Sequence, residues 1–192
     1  MTQPFSPHPD TEPLTRFQIL SAMGVTAIVL LVVSQVWLWF DPATLLSLNW
    51  SLTRLLIGVG LGVGITLMSG VIYQLWPAYR QSAEHYLEMV LKPLLWIDLI
   101  WLGLLPGMSE ELLFRGVMLP AIGLNWMGIV ISSLCFGVLH FSGKQQWPYI
   151  VWASIIGLLL GFSAVETHSL LVPIAAHVTT NLISSCLWKV RT

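Results

Sequence analysis

The sequence predicts an all-α protein, a polytopic membrane bundle of about six or seven transmembrane helices with one amphipathic helix on the membrane surface. Of the 192 residues, 56% are hydrophobic and only 9% are charged, and the mean hydropathy is +0.80. These values are typical of integral membrane proteins, so we expect the lipid bilayer to surround most of the chain. The formal net charge of −1 argues against nucleic acid as a partner.

The N-terminal part divides into a tail, a transmembrane hairpin and a surface helix. Residues 1–15 are rich in Pro, Thr and Ser and are predicted to be a disordered cytoplasmic tail. The apolar runs 17–40 and 52–76 are long enough to span a bilayer with some tilt. In 77–92, charged and apolar side chains interleave at helical spacing, which is typical of an amphipathic helix on the membrane surface. Residues 16–92 are therefore expected to form one N-terminal unit.

The second predicted span contains a glycine pattern typical of close helix packing. Two overlapping G-x-x-x-G pairs allow the backbone of a neighbouring helix to approach. These pairs are Gly58 with Gly62 and Gly60 with Gly64.

Residues 93–188 are predicted to be a second membrane unit, and it carries the polar motifs. Turn-forming residues divide it into five apolar pieces, of which the first two can be one kinked helix. The pieces are 93–105, 109–122, 126–141, 147–165 and 169–188. Residues 189–192 are expected to be a cytoplasmic tail. Loop cations collect on one side if the spans alternate, so both termini are predicted to be cytoplasmic.

Three charged residues in the 109–122 piece form the first part of a candidate site. Glu110, Glu111 and Arg115 lie in an apolar region, where an ionisable group is a functional-site hypothesis by default because its burial is costly. Glu111 and Arg115 are helical i,i+4 neighbours and can pair. Glu110 points about 100° away and has no partner on its own helix, which suits a general base. Ser109 is expected to be the N-cap, with the acids in the first turn.

Two further polar pairs follow at helical spacing. Phe136 precedes His140 by one helical turn, and His177 precedes Asn181 in the same way, so each pair faces one side of its helix. An imidazole beside an amide can hold a water molecule, ligate a metal or donate to an oxyanion. An aromatic ring beside His140 can wall off a substrate cleft.

A helical hairpin would bring these groups together. If the pieces on either side of 123–125 pack as an antiparallel pair, Glu110 and His140 lie at the same depth. The last span then returns with its own polar pair near mid-depth, and the site opens toward the cytoplasm. The course of 93–105 stays open, because this piece can span, re-enter or kink into the Glu110 helix.

With these motifs in order, the chain resembles the CPBP family of intramembrane peptidases, also called Abi or CAAX-protease-and-bacteriocin-processing. That family includes the type II CAAX prenyl endopeptidases. Its pattern is E-E-x-x-x-R, F-x-x-x-H and H-x-x-x-N, each in a membrane helix, and the resemblance covers roughly residues 93–188. The matching residues are Glu110, Glu111, Arg115, Phe136, His140, His177 and Asn181.

The resemblance implies an intramembrane endopeptidase of a bacterial plasma membrane that cleaves a membrane-associated peptide or protein, with or without a lipid group. It implies that Glu110 activates the attacking water, while Glu111 and Arg115 support the site electrostatically. The residues that would position the water or a metal and stabilise the tetrahedral oxyanion are His140, His177 and Asn181. Those that would border the substrate cleft are Phe114 and Phe136.

Two mechanisms and two other functions stay open at this point. Glu110, His140 and His177 could hold Zn²⁺ with one open position for water, or a glutamate-activated water could act without a metal. The chain could instead be a catalytically silent scaffold or a bacteriocin self-immunity protein of the same fold. A small proton-coupled transporter would also use buried acids, but no inverted halves are visible in the sequence.

Overall fold

Helices account for nearly all of the part of the chain that the structure describes, residues 14–41 and 45–191. The structure is a computed structural model, and it confirms the predicted all-α class. The helices are α1 (Arg16–Phe40), α2 (Leu52–Leu75), α3 (Pro77–Leu91), α4 (Leu99–Glu111), α5 (Leu119–Ile122), α6 (Trp126–Leu139), α7 (Trp147–Thr167) and α8 (Leu171–Arg191). A π-helical segment, Leu112–Met118, joins α4 directly to α5, and short 3-10 turns, Trp96–Asp98 and Lys144–Gln146, precede α4 and α7.

Local interactions explain where the first helix begins and where the last helix ends. Thr15 is the N-cap of α1, because its hydroxyl accepts a hydrogen bond from the backbone N–H of Gln18, and the Gln18 side chain accepts one from the backbone N–H of Thr15. Residues 1–13 of the predicted tail, and the last residue of the chain, lie outside the described residues. Helix α8 runs to Arg191, and the basic side chains in its last turn stabilise this end of the helix. Most of the expected 189–192 tail is therefore helical.

The described residues contain fewer spans than the sequence predicts. Four helical stretches are long and apolar enough to cross a membrane: α1, α2, Lys144–Thr167 and α8. A fifth results if α3 and the helical run Trp96–Ile122, which are bent by 109°, are one span. The expected number was higher because α6 was counted as a span. α6 has only 14 residues, or about 21 Å of helix, which is less than the ~30 Å of bilayer hydrocarbon.

The outward faces of the long helices are apolar. On α1, Val25, Ile28 and Val32 are 60%, 62% and 54% exposed. Such a surface would be unfavourable in water and is the one that lipid requires. The chain is therefore an integral membrane protein with a polytopic helical fold, as predicted.

The glycines of α2 explain how it packs on α8. A Cβ atom on Gly58 would lie 2.6 Å from Ala175 Cβ, and one on Gly62 would lie 2.5 Å from the Ala176 carbonyl oxygen. Gly60 and Gly64 have no such neighbour within 4 Å. One of the two predicted G-x-x-x-G pairs therefore packs inside the molecule, and the other faces outward.

We expect Gly62→Ala to destabilise the protein by about 1–3 kcal/mol, because the added methyl group overpacks the contact between α2 and α8. Gly64→Ala is the matched control, and we expect it to be neutral or slightly stabilising because Ala favours helix over Gly. Thermal unfolding in detergent measures both variants. Equal melting temperatures for the two variants would contradict the packing described.

The question left open for residues 93–105 has a clear answer: they lead into the Glu110 helix. After the 3-10 turn, α4 continues through Pro106 without a break, and Gly107 packs closely on Val178 of α8, where an added Cβ would lie 2.6 Å from Val178 Cγ2. Of the two alternatives left open, separate pieces or one helix, the structure therefore shows one helix through this Pro-Gly pair. Pro and Gly are tolerated inside a membrane helix when a neighbouring helix packs against it.

This continuity changes the position of the acidic residues along the helix. Ser109 is not the predicted N-cap, because its hydroxyl donates to the Leu105 carbonyl oxygen (2.7 Å) inside the helix. Glu110 and Glu111 accordingly lie near the middle of the run from α4 to α5, and the predicted first-turn position is wrong.

The predicted hairpin between the acidic segment and α6 is confirmed. α5 ends at Gly123, whose φ of 137° is a conformation that favours glycine. Asn125 then caps α6, with its side-chain oxygen accepting a hydrogen bond from the backbone N–H of Gly128 (3.1 Å). This turn reverses the chain and returns α6 toward the depth of Glu110.

Candidate active site

One large cavity brings the three polar motifs together. Its volume is about 1330 Å³, and α1, α2, α3, α4, α7 and α8 all contribute to its lining. The predicted site residues that line it are Glu110, Phe136, His140, His177 and Asn181. Glu111 and Arg115 lie behind this wall, where both side chains are completely buried.

Glu110 and His140 face each other across a short gap. The distance between Glu110 Oε2 and His140 Nε2 is 3.9 Å, and their side chains are 9% and 16% exposed. The equal depth that the hairpin predicts is therefore confirmed. The gap is too long for a direct hydrogen bond and fits one bridging water molecule. Glu110 Oε2 is buried and has no hydrogen-bond partner within the described residues.

Glu111 is the centre of a buried polar network. Its Oε1 accepts a hydrogen bond from Arg115 Nη1 (2.8 Å), which confirms the predicted pair, and it lies 2.8 Å from His177 Nδ1. Arg115 Nη2 donates to the Gly157 carbonyl oxygen (3.0 Å) on α7. A carboxylate between a guanidinium and an imidazole has its charge balanced where water is scarce. The network therefore fixes the His177 ring and connects α4, α7 and α8.

Phe136 packs against the cationic and imidazole groups of the site. Its ring centroid is 4.4 Å from the Arg115 guanidinium carbon, 4.9 Å from the His140 ring and 5.7 Å from the His177 ring. The contact with the guanidinium has the geometry of a cation–π interaction. Phe114 meets Phe136 edge-on, with centroids 5.6 Å apart, but it does not belong to the cavity lining. The structure thus places Phe114 one layer behind the predicted cleft position.

A π-helical segment follows Glu111 and carries Arg115. Such segments occur frequently at functional sites, because the wider turn changes the direction of the side chains on either side. The α1–α2 loop supports this segment: the backbone N–H of Leu46 donates to the Gly116 carbonyl oxygen (2.8 Å), and Leu46 is buried. No sequence pattern indicates this segment, because the spacing of Glu111 and Arg115 also fits an ordinary α-helix.

Sequence reasoning missed the aromatic side chains that complete the cavity. All four tyrosines of the chain line it, on α2, α3 and α7, and so does Trp152. The tyrosines are Tyr73, Tyr79, Tyr86 and Tyr149. The amphipathic pattern of α3 was the available signal, because its buried face carries Tyr79.

Asp98, the remaining acid of this region, belongs to a separate contact. Its carboxylate accepts two hydrogen bonds of 2.7 Å from the Arg16 guanidinium and one from the backbone N–H of Leu95. Nearby, Lys189 Nζ donates to the Leu94 carbonyl oxygen. These bonds join the start of α1, the start of α4 and the end of α8 at one end of the bundle.

The residues proposed for a zinc site do not form a three-ligand group. Among residues 14–41 and 45–191, no three His, Cys, Asp or Glu side chains are grouped so that they could hold a metal ion. Glu110 and His140 face each other, whereas His177 Nδ1 is bound to Glu111. The mechanism proposed below therefore uses no metal, and the zinc site stays a prediction.

The comparisons with known proteins agree with the motifs. Residues 92–183 match the family model described as type II CAAX prenyl endopeptidase Rce1-like, which confirms the resemblance. The uncharacterized protein YpbD of Bacillus subtilis (strain 168) is 30% identical over 129 residues, which are 67% of this chain and 66% of that protein. An uncharacterized 24.3 kDa protein of Escherichia coli is 29% identical over 87 residues, 43% of this chain and 40% of that protein. The chain thus spans just under two thirds of the first relative and less of the second, and no solved structure gives a significant match.

Proposed function

Because residues 92–183 belong to the Rce1-like family of type II CAAX prenyl endopeptidases, we propose that this protein hydrolyses a peptide bond in a membrane-associated peptide or protein. The observation that carries the proposal is the Glu110–His140 pair: a buried carboxylate and a partly buried imidazole, 3.9 Å apart, at the wall of a large cavity. A buried carboxylate oxygen without a hydrogen-bond partner in the described chain is suited to bind and deprotonate water.

The hydrogen bonds of His140 support a specific orientation of that water. His140 Nδ1 lies 3.0 Å from the Phe136 carbonyl oxygen, which can only accept, so Nδ1 carries the hydrogen. In the neutral ring, Nε2 is then an acceptor, as is the Glu110 carboxylate. A water between them donates one hydrogen to each, and a lone pair of its oxygen is left to attack a substrate carbonyl carbon.

The chemical steps follow from this placement. Glu110 takes a proton from the water as its oxygen bonds to the carbonyl carbon, and it returns that proton to the leaving nitrogen when the C–N bond breaks. In the proposed mechanism, the imidazolium form of His177 donates its Nδ1–H to Glu111, and its Nε2–H faces the negative charge that develops on the carbonyl oxygen. The amide N–H groups of Asn181 face the same charge. Glu111 and Arg115 act indirectly, because they hold the His177 ring in place.

The same proposal includes the location of the protein. We assign it to the bacterial plasma membrane, with the termini and the cavity mouth at the cytoplasmic side. Arg16 and Lys189 lie together at one end of the bundle, and Lys92 lines the cavity together with Lys189. Cytoplasmic segments are enriched in such cations, which supports this orientation.

Cleavage of a peptide library tests the proposed function. We expect purified wild-type protein in detergent to cleave members of a quenched fluorogenic library, prepared with and without a farnesyl tail. His140→Ala should lower the rate at least about a hundredfold, because the water loses one of its two acceptors. Equal background rates for both proteins would favour the silent scaffold or immunity protein.

Elemental analysis of the same preparation decides between the two mechanisms. For the metal-free mechanism we expect active wild-type protein to contain far less than one zinc ion per chain. Stoichiometric zinc in the active wild type that is absent from His177→Ala would support the zinc mechanism instead.

A further inference from the structure

Two tyrosines in the cavity have hydroxyl groups that the fold does not use. Tyr73 donates its hydroxyl to Glu84, and the Tyr79 hydroxyl interacts with Ser69. Tyr86 and Tyr149 also line the cavity, but their hydroxyl groups have no hydrogen-bond partner within residues 14–41 and 45–191. Polar groups at a partly buried wall are normally satisfied, so these two donors are available to a ligand.

Stacking holds the two rings beside the catalytic pair. Tyr86 on α3 and Tyr149 on α7 stack with centroids 4.7 Å apart and an interplanar angle of 24°. The Tyr149 ring lies 6.0 Å from the His140 ring, and the Glu110 carboxylate acts electrostatically on both phenols. The stacked pair therefore lies next to the proposed position of the attacking water.

The chemistry of this pair fits a peptide backbone. A substrate peptide in an apolar cavity needs hydrogen-bond donors for its carbonyl groups, because unpaired carbonyls are costly away from water. A neutral phenol donates a hydrogen bond and carries no charge that would compete with Glu110 for the proton of the attacking water. The rings have few rotatable bonds, so little conformational entropy is lost on binding.

We propose that the hydroxyl groups of Tyr86 and Tyr149 bind backbone carbonyl groups of the substrate peptide beside the scissile bond. This inference rests on the proposed function and names two substrate-binding residues for it. Because Tyr86 lies on the amphipathic helix α3, the proposed contact also makes α3 part of the substrate site.

Kinetics of Tyr→Phe variants test the pair, since each substitution keeps the stacked ring and removes only the hydroxyl. We expect Tyr86→Phe and Tyr149→Phe each to raise KM about fivefold, with kcat changed less than about twofold, because the lost bonds are made in both the bound and transition states. Tyr79→Phe is the matched control, because the Tyr79 ring also stacks on Tyr149, with centroids 6.4 Å apart, while its hydroxyl interacts with Ser69. Its KM should stay within about 1.5-fold of the wild-type value.

Binding without cleavage separates this inference from the proposed function. In a Glu110→Gln background, fluorescence anisotropy measures the Kd of a fluorescein-labelled, farnesylated decapeptide. We expect Tyr86→Phe and Tyr149→Phe to weaken binding about fivefold each, and Tyr79→Phe to leave it unchanged. If the wild type cleaves peptides but neither KM nor Kd responds, or if Tyr79→Phe has the same effect, the inference is overturned while the function stands. If the Kd responds but nothing is cleaved, the proposed function fails and the binding site stands.

Discussion

Glu110→Gln should reduce peptide cleavage by about a thousandfold and leave the fold intact. A carboxamide has nearly the shape of a carboxylate but cannot take a proton from water, and a positioned general base contributes about 10²–10⁴-fold to rate. Glu110 Oε2 has no hydrogen-bond partner within the described residues, so the substitution removes no bond that holds the helices together. It also removes a charge from a buried position, which should maintain or raise the melting temperature.

Two measurements make this expectation specific. The rate of cleavage is compared with that of Glu166→Gln, which changes an exposed acid at the end of α7. The control should retain wild-type activity, and both variants should melt at or above the wild-type temperature. Cleavage by Glu110→Gln within about tenfold of the wild type would exclude Glu110 as the general base.

Arg115→Leu should destabilise the folded protein by about 3–5 kcal/mol. The guanidinium is completely buried and is paired with Glu111 and with the carbonyl oxygen of Gly157. Its removal leaves the Glu111 carboxylate in an apolar surrounding without its cation, which is the most costly way to break a buried ion pair. The His177 ring should also lose its fixed position, because Glu111 holds it. We therefore expect little folded protein and no cleavage activity.

The chain offers a matched control for this prediction. Lys92 and Glu88 form an ion pair at the same i,i+4 spacing, but their side chains are 68% and 61% exposed. Lys92→Leu should leave the denaturation midpoint unchanged, because water screens an exposed pair. Arg115→Leu combined with Glu111→Leu should be more stable than Arg115→Leu alone, since no buried charge is left unpaired. Equal midpoints for Arg115→Leu and Lys92→Leu would contradict the network described here.

Local spacing along the sequence was enough to predict several parts of the candidate site. The i,i+4 separation of Glu111 and Arg115 indicates a pair on any helix. A short turn between two apolar pieces indicates a hairpin, and equal distances from that turn place Glu110 and His140 at one depth. These predictions depend on helical geometry over a few turns, and the structure agrees with both.

The same local reasoning failed at Ser109 and left the course of the helix at Pro106 open. Proline and glycine usually interrupt a helix, so the sequence indicates a new start and a cap at Ser109. In the structure, Gly107 packs closely on Val178 of α8, and the Ser109 hydroxyl donates to a carbonyl oxygen of its own helix. Whether a proline breaks a membrane helix depends on the neighbouring helix. The sequence of one segment does not contain that information.

The sequence by itself determined the class of this protein and the identity of its charged motifs. Burying a charge in an apolar chain is costly. Glu110, Glu111 and Arg115 therefore indicate a functional site, whatever the arrangement of the helices. Only the tertiary structure decided that Glu111 also binds His177 and that Glu110 faces His140 at 3.9 Å. These two contacts join residues on different helices, and they depend on the turn at residue 123, the π-helical segment and the close contacts of glycines on α8. Periodicity indicates which face of a helix is polar, but helix packing decides which groups that face meets.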